Sequence, residues 1–208
     1  MRRPTLNIET LPVGVSFGNK SKINIDRKHF SDIDFAEKTI EEFYLDQCFL
    51  EKVFFNQTKI GEGKIIDSIF EKCSFAGIEF NQLIMKRVEI KNSWVQGMQA
   101  PGAFVYETYF KSSKLGTANF RYSKLKDVLF ESCDLSDTDF IGAELENVTF
   151  KNSNLTNAQF SQAKLNQINI KGSEIKNIHI SKENLNSLTA DTAQALYLVQ
   201  LFGIKIED

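Results

Sequence analysis

Histidine is scarce in this chain of 208 residues, with only His29 and His179, and they lie far apart. A nucleophile, its base and the group that orients it must sit together in a pocket. Two distant histidines do not provide that constellation, and no G-x-S-x-G, P-loop, dinucleotide fingerprint or metal-ligand spacing accompanies them. The reading is therefore of a protein that is not an enzyme, with no catalytic residues, no metal and no cofactor. Cysteine is scarce too: Cys48, Cys73 and Cys133 are an odd number at wide spacings. Charge of one sign is lacking, because 25 Lys plus Arg stand against 27 Asp plus Glu for a net charge of −2. With no block of five or six like charges, a nucleic-acid arm is excluded. No apolar run approaches a membrane span. The opening MRRPTLNIETLPVG has two arginines but no apolar stretch behind them, so it does not read as a secretory signal. The expected address is the cytoplasm.

What is present is a period of five. From Ile25 to Leu185 every position that is a multiple of five is apolar, in a chain that is only 42% apolar. The second half runs Phe110, Leu115, Phe120, Leu125, Phe130, Leu135, Phe140 and on to Leu185. Five matches neither the helical spacing of three and four nor the strict alternation of a half-buried strand. It does match a short extended piece followed by a corner. In an extended piece, residues two apart point the same way. The residue two before each centre should then also face inward, and from Phe43 to Ile178 none of these flanking positions carries a charge. Most are small. All three cysteines fall on them, where they read as buried reduced thiols filling the core.

Four such units close one square coil, and successive coils stack at about 4.8 Å through backbone hydrogen bonds. Residues twenty apart then lie above one another, so Phe30, Leu50, Phe70, Ile90, Phe110, Phe130, Phe150 and Ile170 form one column. Eight coils make a rod roughly 40 Å long. Each coil buries its apolar face only against its neighbours. Cys73 and Cys133 share a face but are separated by three coils, roughly 14 Å on that spacing, too far for a disulfide or one metal.

Units such as CDLSD, TDFIG, AELEN, SNLTN, AQFSQ and AKLNQ resemble the pentapeptide repeat, A(D/N)LXX in its usual form. The resemblance implies an all-β solenoid, a right-handed quadrilateral β-helix of about eight coils, here with a short C-terminal helix. The expected divisions are an N-terminal cap over residues 1–24, the repeat over 25–187, and a C-terminal helix and dimerisation segment over 188–208.

In the cap, Val13, Val15 and Phe17 alternate, which suggests a strand over the open end of the first coil. Lys28 and Lys38 sit on flanking positions, so the first coil is expected to be irregular. The frame weakens once, in SWVQGMQAPGAFVYETYF, where Ala100 is a poor centre and Pro101-Gly102 is a strong turn pair. Residues 93–107 are read either as one loosely packed coil or as a protruding loop at Gln96, Gly97, Pro101 and Gly102. After Leu185 the period becomes helical. Asp191 with Gln194 reads as a capping box, Ala195, Leu198, Val199 and Phe202 form a stripe flanked by Leu196 and Leu201, and Gly203 is a C-cap. A short strand is expected where Ile204 and Ile206 alternate with Lys205 and Glu207. The pair Gln194-Ala195 and the segment Phe202-Gly203-Ile204 are similar to the C-terminal segment of gyrase-protecting members of the family. That likeness implies a homodimer interface through Leu196, Val199, Phe202, Ile204 and Ile206.

Outward residues that are not polar mark the candidate partner surface. One face runs Phe49, Ile69, Glu89, Tyr109, Leu129 up successive coils; Phe54 and Trp94 occupy the next, and Tyr44, Ile84 and Phe104 the one before. Gyrase-binding members resemble duplex DNA in shape and negative surface, but the charges here do not form such a surface. One face is mildly acidic, and another carries Lys52, Lys72, Lys91, Lys111, Lys151 and Lys171. The resemblance implies a cytoplasmic protein that engages DNA gyrase or topoisomerase IV and protects it from quinolone-like poisons, without binding nucleic acid or membrane itself. The alternative is a scaffold or regulatory module with no topoisomerase role.

Overall fold

The computed structural model describes residues 2–17 and 20–206. Glu207 and the outermost bounds of the two expected end segments lie outside the described residues.

The chain is a right-handed parallel β-solenoid of about 8 turns with one short C-terminal helix. Each paired strand meets the residue twenty positions away: Ile23 beside Phe43, Leu45 beside Ile65, Phe110 beside Phe130, Val148 beside Ile168. The ladder begins at Lys22 and reaches Thr189, where Leu188–Thr189 pairs with Ile168–Asn169. Every centre from Phe30 to Ile175 is buried, and Ile25, Ile180 and Leu185 at the two ends are partly so. The inward flanks from Phe43 to Ile178 are buried throughout. The two flanking lysines fall outside this interior, with Lys38 exposed and Lys28 half-buried.

Aromatic rings stack along the rod axis because a twenty-residue register places identical positions one strand spacing apart. Phe130 lies between Phe110 at 4.9 Å and Phe150 at 5.1 Å, with planes within 12°. Phe140 lies between Phe120 at 5.6 Å and Phe160 at 4.9 Å. The small polar flanks do more than fill space. Ser93 Oγ accepts from Cys73 N, Ser113 Oγ from Ser93 N, Ser153 Oγ from Cys133 N and Ser173 Oγ from Ser153 N. Each of these hydroxyls satisfies a buried amide of the coil below that the corner leaves unpaired. At many corners the residue two past the centre is left-handed, for instance Asp32, Lys52, Lys72 and Asn92 with φ between 51° and 54°.

Both ends are closed, by different means. At the N-terminal end Phe17 is buried, its ring 4.4 Å from Phe30 and 5.0 Å from Phe35. The expected covering strand is not there. Val13 forms only an isolated bridge to His29, and Val13 and Val15 point to solvent. One ring provides the plug. At the other end the helix Thr192–Leu201 carries the expected capping box: Asp191 accepts from Gln194 N, and Gln194 Oε1 accepts from Asp191 N. It ends in a Schellman motif, with Gly203 (φ 81°) donating to Gln200 O and Ile204 to Val199 O. No strand follows among the described residues, and Ile204 and Ile206 are in irregular backbone. Side chains of this helix bind the last coil: Gln194 Nε2 donates to Ile170 O and Ser173 O, and Tyr197 OH accepts from Asn177 N.

Candidate partner-binding surfaces

A loop at residues 93–107 would be the simplest docking feature, and the structure replaces it with a regular coil. Gln96-Gly97 and Pro101-Gly102 are ordinary corners, with Gly97 N donating to Gly116 O and Gly102 N to Arg121 O. Ala100 is buried and bonded to Asn119 O. A small centre is accommodated because Met98 and Val95 are buried around it and take up volume. Nothing protrudes.

The apolar column on the face centred on Leu50 also differs from expectation. Phe49, Ile69 and Glu89 are each 7% exposed and Tyr109 is 2% exposed. Outward residues at the equivalent place on neighbouring faces are 40–51% exposed, as Phe54, Ile84, Trp94 and Phe104 show. The cover is the chain's own N-terminal segment. It pairs with His29 through Gly14 N to His29 O (2.7 Å) and His29 N to Pro12 O (2.9 Å). From there it runs back up the rod to coil five, where the Arg3 guanidinium sits 4.0 Å above the Tyr109 ring and 3.5 Å from Glu89. Arg2 N donates to Glu107 Oε1. Phe49, Ile69 and Tyr109 are therefore not an open partner surface, and only Leu129, beyond the segment's reach, is half-buried. Arg2 and Arg3 were not among the expected site residues. Their signal was Glu89, an acid in the middle of an otherwise apolar column.

What remains open lies on two faces. Trp94 and Phe54 share one, with the Lys114 ammonium 4.4 Å over the Trp94 ring. Ile84 and Phe104 stack as register partners on the face centred on Leu45, with Tyr106 6.2 Å from Phe104. Above them a shallow groove of about 530 Å³ is lined by Tyr106, Lys124, Lys126, Glu144, Glu146 and Lys164. Its charges alternate up the rod: Glu144 holds Lys124 at 3.1 Å and Lys164 at 2.9 Å, and Lys126 holds Glu146 at 2.8 Å. The same cross-coil pairing joins Lys59 to Glu79, Lys72 to Glu51 and Lys151 to Glu131. Each exposed pair contributes little. Together they leave no continuous acidic stripe.

The thiols are inert by position. Burial pushes Cys48 and Cys133 up to about 11 and Cys73 up to about 12. Among the described residues no group of three His, Cys, Asp or Glu could hold a metal ion, and no helix is long and apolar enough to cross a membrane. At the C-terminal end the helix buries only Gln194 and Leu198. Leu196, Leu201, Ile204 and Ile206 are exposed, Val199 and Phe202 half-buried.

A family model described as "Pentapeptide repeat region" matches residues 105–180. No curated protein matches the chain. Among solved structures, a trypsin-treated form of QnrB1, described as a plasmid-mediated fluoroquinolone resistance protein, is similar at 21% identity and a TM-score of 0.51. The match covers 95% of this chain and 96% of that chain. HetL, a pentapeptide repeat protein involved in heterocyst differentiation regulation from the cyanobacterium Nostoc, aligns at 12% identity over 76% of this chain and 84% of that one, TM-score 0.34. Rfr23 from the cyanobacterium Cyanothece aligns at 16% identity over 62% and 88%, TM-score 0.31.

Proposed function

We propose that this pentapeptide-repeat rod is a cytoplasmic, non-enzymatic binding protein. We propose further that it works as a homodimer joined through the C-terminal segment, and that it engages DNA gyrase or topoisomerase IV and protects the enzyme from quinolone-like poisons. The observation that carries the reading is the unpartnered C-terminal end. Leu196, Ile204 and Ile206 are exposed beside half-buried Val199 and Phe202, more apolar surface than closing one coil requires. Joining two copies there doubles the length of a rigid rod, a shape suited to a long enzyme channel. Because the similar QnrB1 is a fluoroquinolone resistance protein, the enzymes that these drugs poison are the partners to test first.

The test is gyrase supercoiling in the presence of a quinolone, with purified protein titrated in. Rescue of supercoiling is the expected outcome; no effect at micromolar protein removes the topoisomerase. Sedimentation tests the dimer separately: the native chain should run as a dimer and Ile204→Lys as a monomer.

The cross-coil pairing of Lys and Glu favours a second reading, a scaffold with no topoisomerase role, because a neutralised surface does not imitate duplex DNA with its charge every ~1.7 Å. On that reading the aromatic faces make the contact. Trp94→Ser with Phe104→Ser should then abolish capture of the partner while leaving thermal unfolding unchanged, and unaltered capture would exclude these faces.

A further inference from the structure

The segment from Arg2 to Val13 is itself a ligand in form. Pro4, Leu6 and Ile8 are half-buried and alternate with exposed Thr5, Asn7 and Glu9, the pattern of a peptide with one face down, which ends in a single 3-10 turn at Ile8–Thr10. Its basic end meets acids: Arg3 reaches Glu89, Arg2 reaches Glu107, and the Tyr109 hydroxyl donates to Glu131 of the next coil. The stripe it covers matches it in length. The apolar run Phe49, Ile69, Tyr109, Leu129 gives way to Thr149 and Asn169 just past the end of the segment.

The attachment is weak for its length. Away from His29 its polar anchors to the rod are the contacts of Arg2 and Arg3, whose side chains remain 85% and 51% exposed. Ion pairs whose basic partner is that exposed contribute little. Segments held this way open far more readily than the core. Rod and strap are thus two parts of unequal stability, the rod side being a rigid, preformed stripe.

We propose that the stripe Phe49–Ile69–Glu89–Tyr109 is a peptide-binding site, and that residues 2–13 are its resident occupant, a detachable strap that a partner must displace. The partner it fits is an extended protein segment with arginine at one end and apolar side chains at alternate positions after it. The fit is of the groove-binding kind, in which alternate side chains give specificity, with Glu89 and the Tyr109 ring together receiving the guanidinium. This site is independent of any topoisomerase role.

The probe is a fluorescent synthetic peptide of residues 2–13, added to full-length protein and followed by anisotropy. The intact protein should bind it weakly, because its own strap competes. The full-length Arg3→Glu variant sets its own strap against Glu89 while leaving the stripe unchanged, and should bind the native-sequence peptide at least tenfold more tightly. A scrambled peptide should gain nothing, and Arg3→Lys should behave nearly as the native chain. Amide exchange across residues 4–12 reports whether the strap has opened. No gain in affinity for Arg3→Glu overturns the proposal in either case: with slow exchange the strap is a fixed part of the fold, and with fast exchange the bared stripe does not recognise the sequence. Equal gain for the scrambled peptide overturns it as well.

Discussion

Along the face centred on Leu45 the two halves of the rod turn one corner in different ways. In the first half φ stays negative at Glu42, Glu62 and Gln82, and the chain runs extended through Thr39–Asp46, Lys59–Ile66 and Glu79–Lys86. In the second half Gly102, Tyr122, Gly142 and Gln162 are left-handed, with φ between 58° and 69°. There the corner closes through Ala103 N to Ala100 O, Ser123 N to Phe120 O, Ala143 N to Phe140 O and Ala163 N to Phe160 O. The next inward residue tracks the difference. It is Phe43, Gly63 and Leu83 in the first half, and Ala103, Ser123, Ala143 and Ala163 in the second. Equally left-handed corners on another face, at Gly77 and Gly97, are followed by Ile78 and Met98, but on this face a small side chain stands behind each tight corner. Where the corner is open, a large one fills the gap, and at Gly63 the Phe80 ring takes that space, within 2.8 Å of where a Cβ would stand. A five-residue unit therefore permits two corners, and on this face the volume of the next inward residue tracks which one is used. The family match over residues 105–180 lies within the tight half.

The comparison can be broken from either side. The largest effect is expected for Phe130→Ala, which removes a fully buried ring stacked between two others in the tight half. Urea unfolding should show a loss of about 3–5 kcal/mol, and a loss under about 1 kcal/mol would contradict the stacked core. Transplanting the first half's residue into the second should cost less but be more telling. Ala143→Leu puts at a tight corner what Leu83 supplies at an open one, and should cost about 1–3 kcal/mol by overpacking. If it proves neutral, volume does not select the corner. Gly61→Ala tests the open half, where a Cβ would lie 2.6 Å from Glu41 O, a backbone atom that cannot swing aside. It should lower the melting temperature, whereas Gly102→Ala, with nothing within 4 Å, should lower it less through its φ of 69° alone.

A further effect involves both halves and is read with pH. The three thiols are raised by burial to about 11 or 12, and Tyr109 is pushed up to about 12 by burial and then by its hydrogen bond to Glu131. An unfolded thiol loses its proton near its ordinary value of about 8.5, while the folded one keeps it. The unfolded state then binds fewer protons, so stability is intact at neutral pH and falls as pH rises toward 11 and 12. The urea midpoint at pH 10.5 should lie below that at pH 7, and Cys73→Ala should reduce the gap.

Much of this was legible in the sequence because the interior obeys a strictly local rule. The centres and flanks declare themselves by spacing alone, and the register of twenty follows from four sides of five. The capping box at Asp191 and Gln194 is likewise local. What was not legible depends on contacts between distant parts. Arg3 and Glu89 are 86 positions apart, and no periodicity links them. Phe49, Ile69 and Tyr109 were placed correctly as outward residues of one column, but whether an outward residue meets water depends on where a strap outside the repeat happens to lie. Of the two readings of residues 93–107, a coil or a protruding loop, the loop is the one that fails, because a turn pair such as Pro101-Gly102 is what a tight corner of this rod needs.

A parallel ladder with a fixed register is also a template, because its last coil offers a bare edge on which any further strand could polymerise. The helix after Asp191 withdraws that offer. The Asp191 carboxylate accepts from Gly172 N, the Gln194 amide occupies two carbonyls, and the Tyr197 hydroxyl takes the Asn177 amide. Three side chains thus act as a terminator. They answer hydrogen-bonding groups of the last coil with ones that cannot propagate, and so set the rod's length where the five-residue rule sets none.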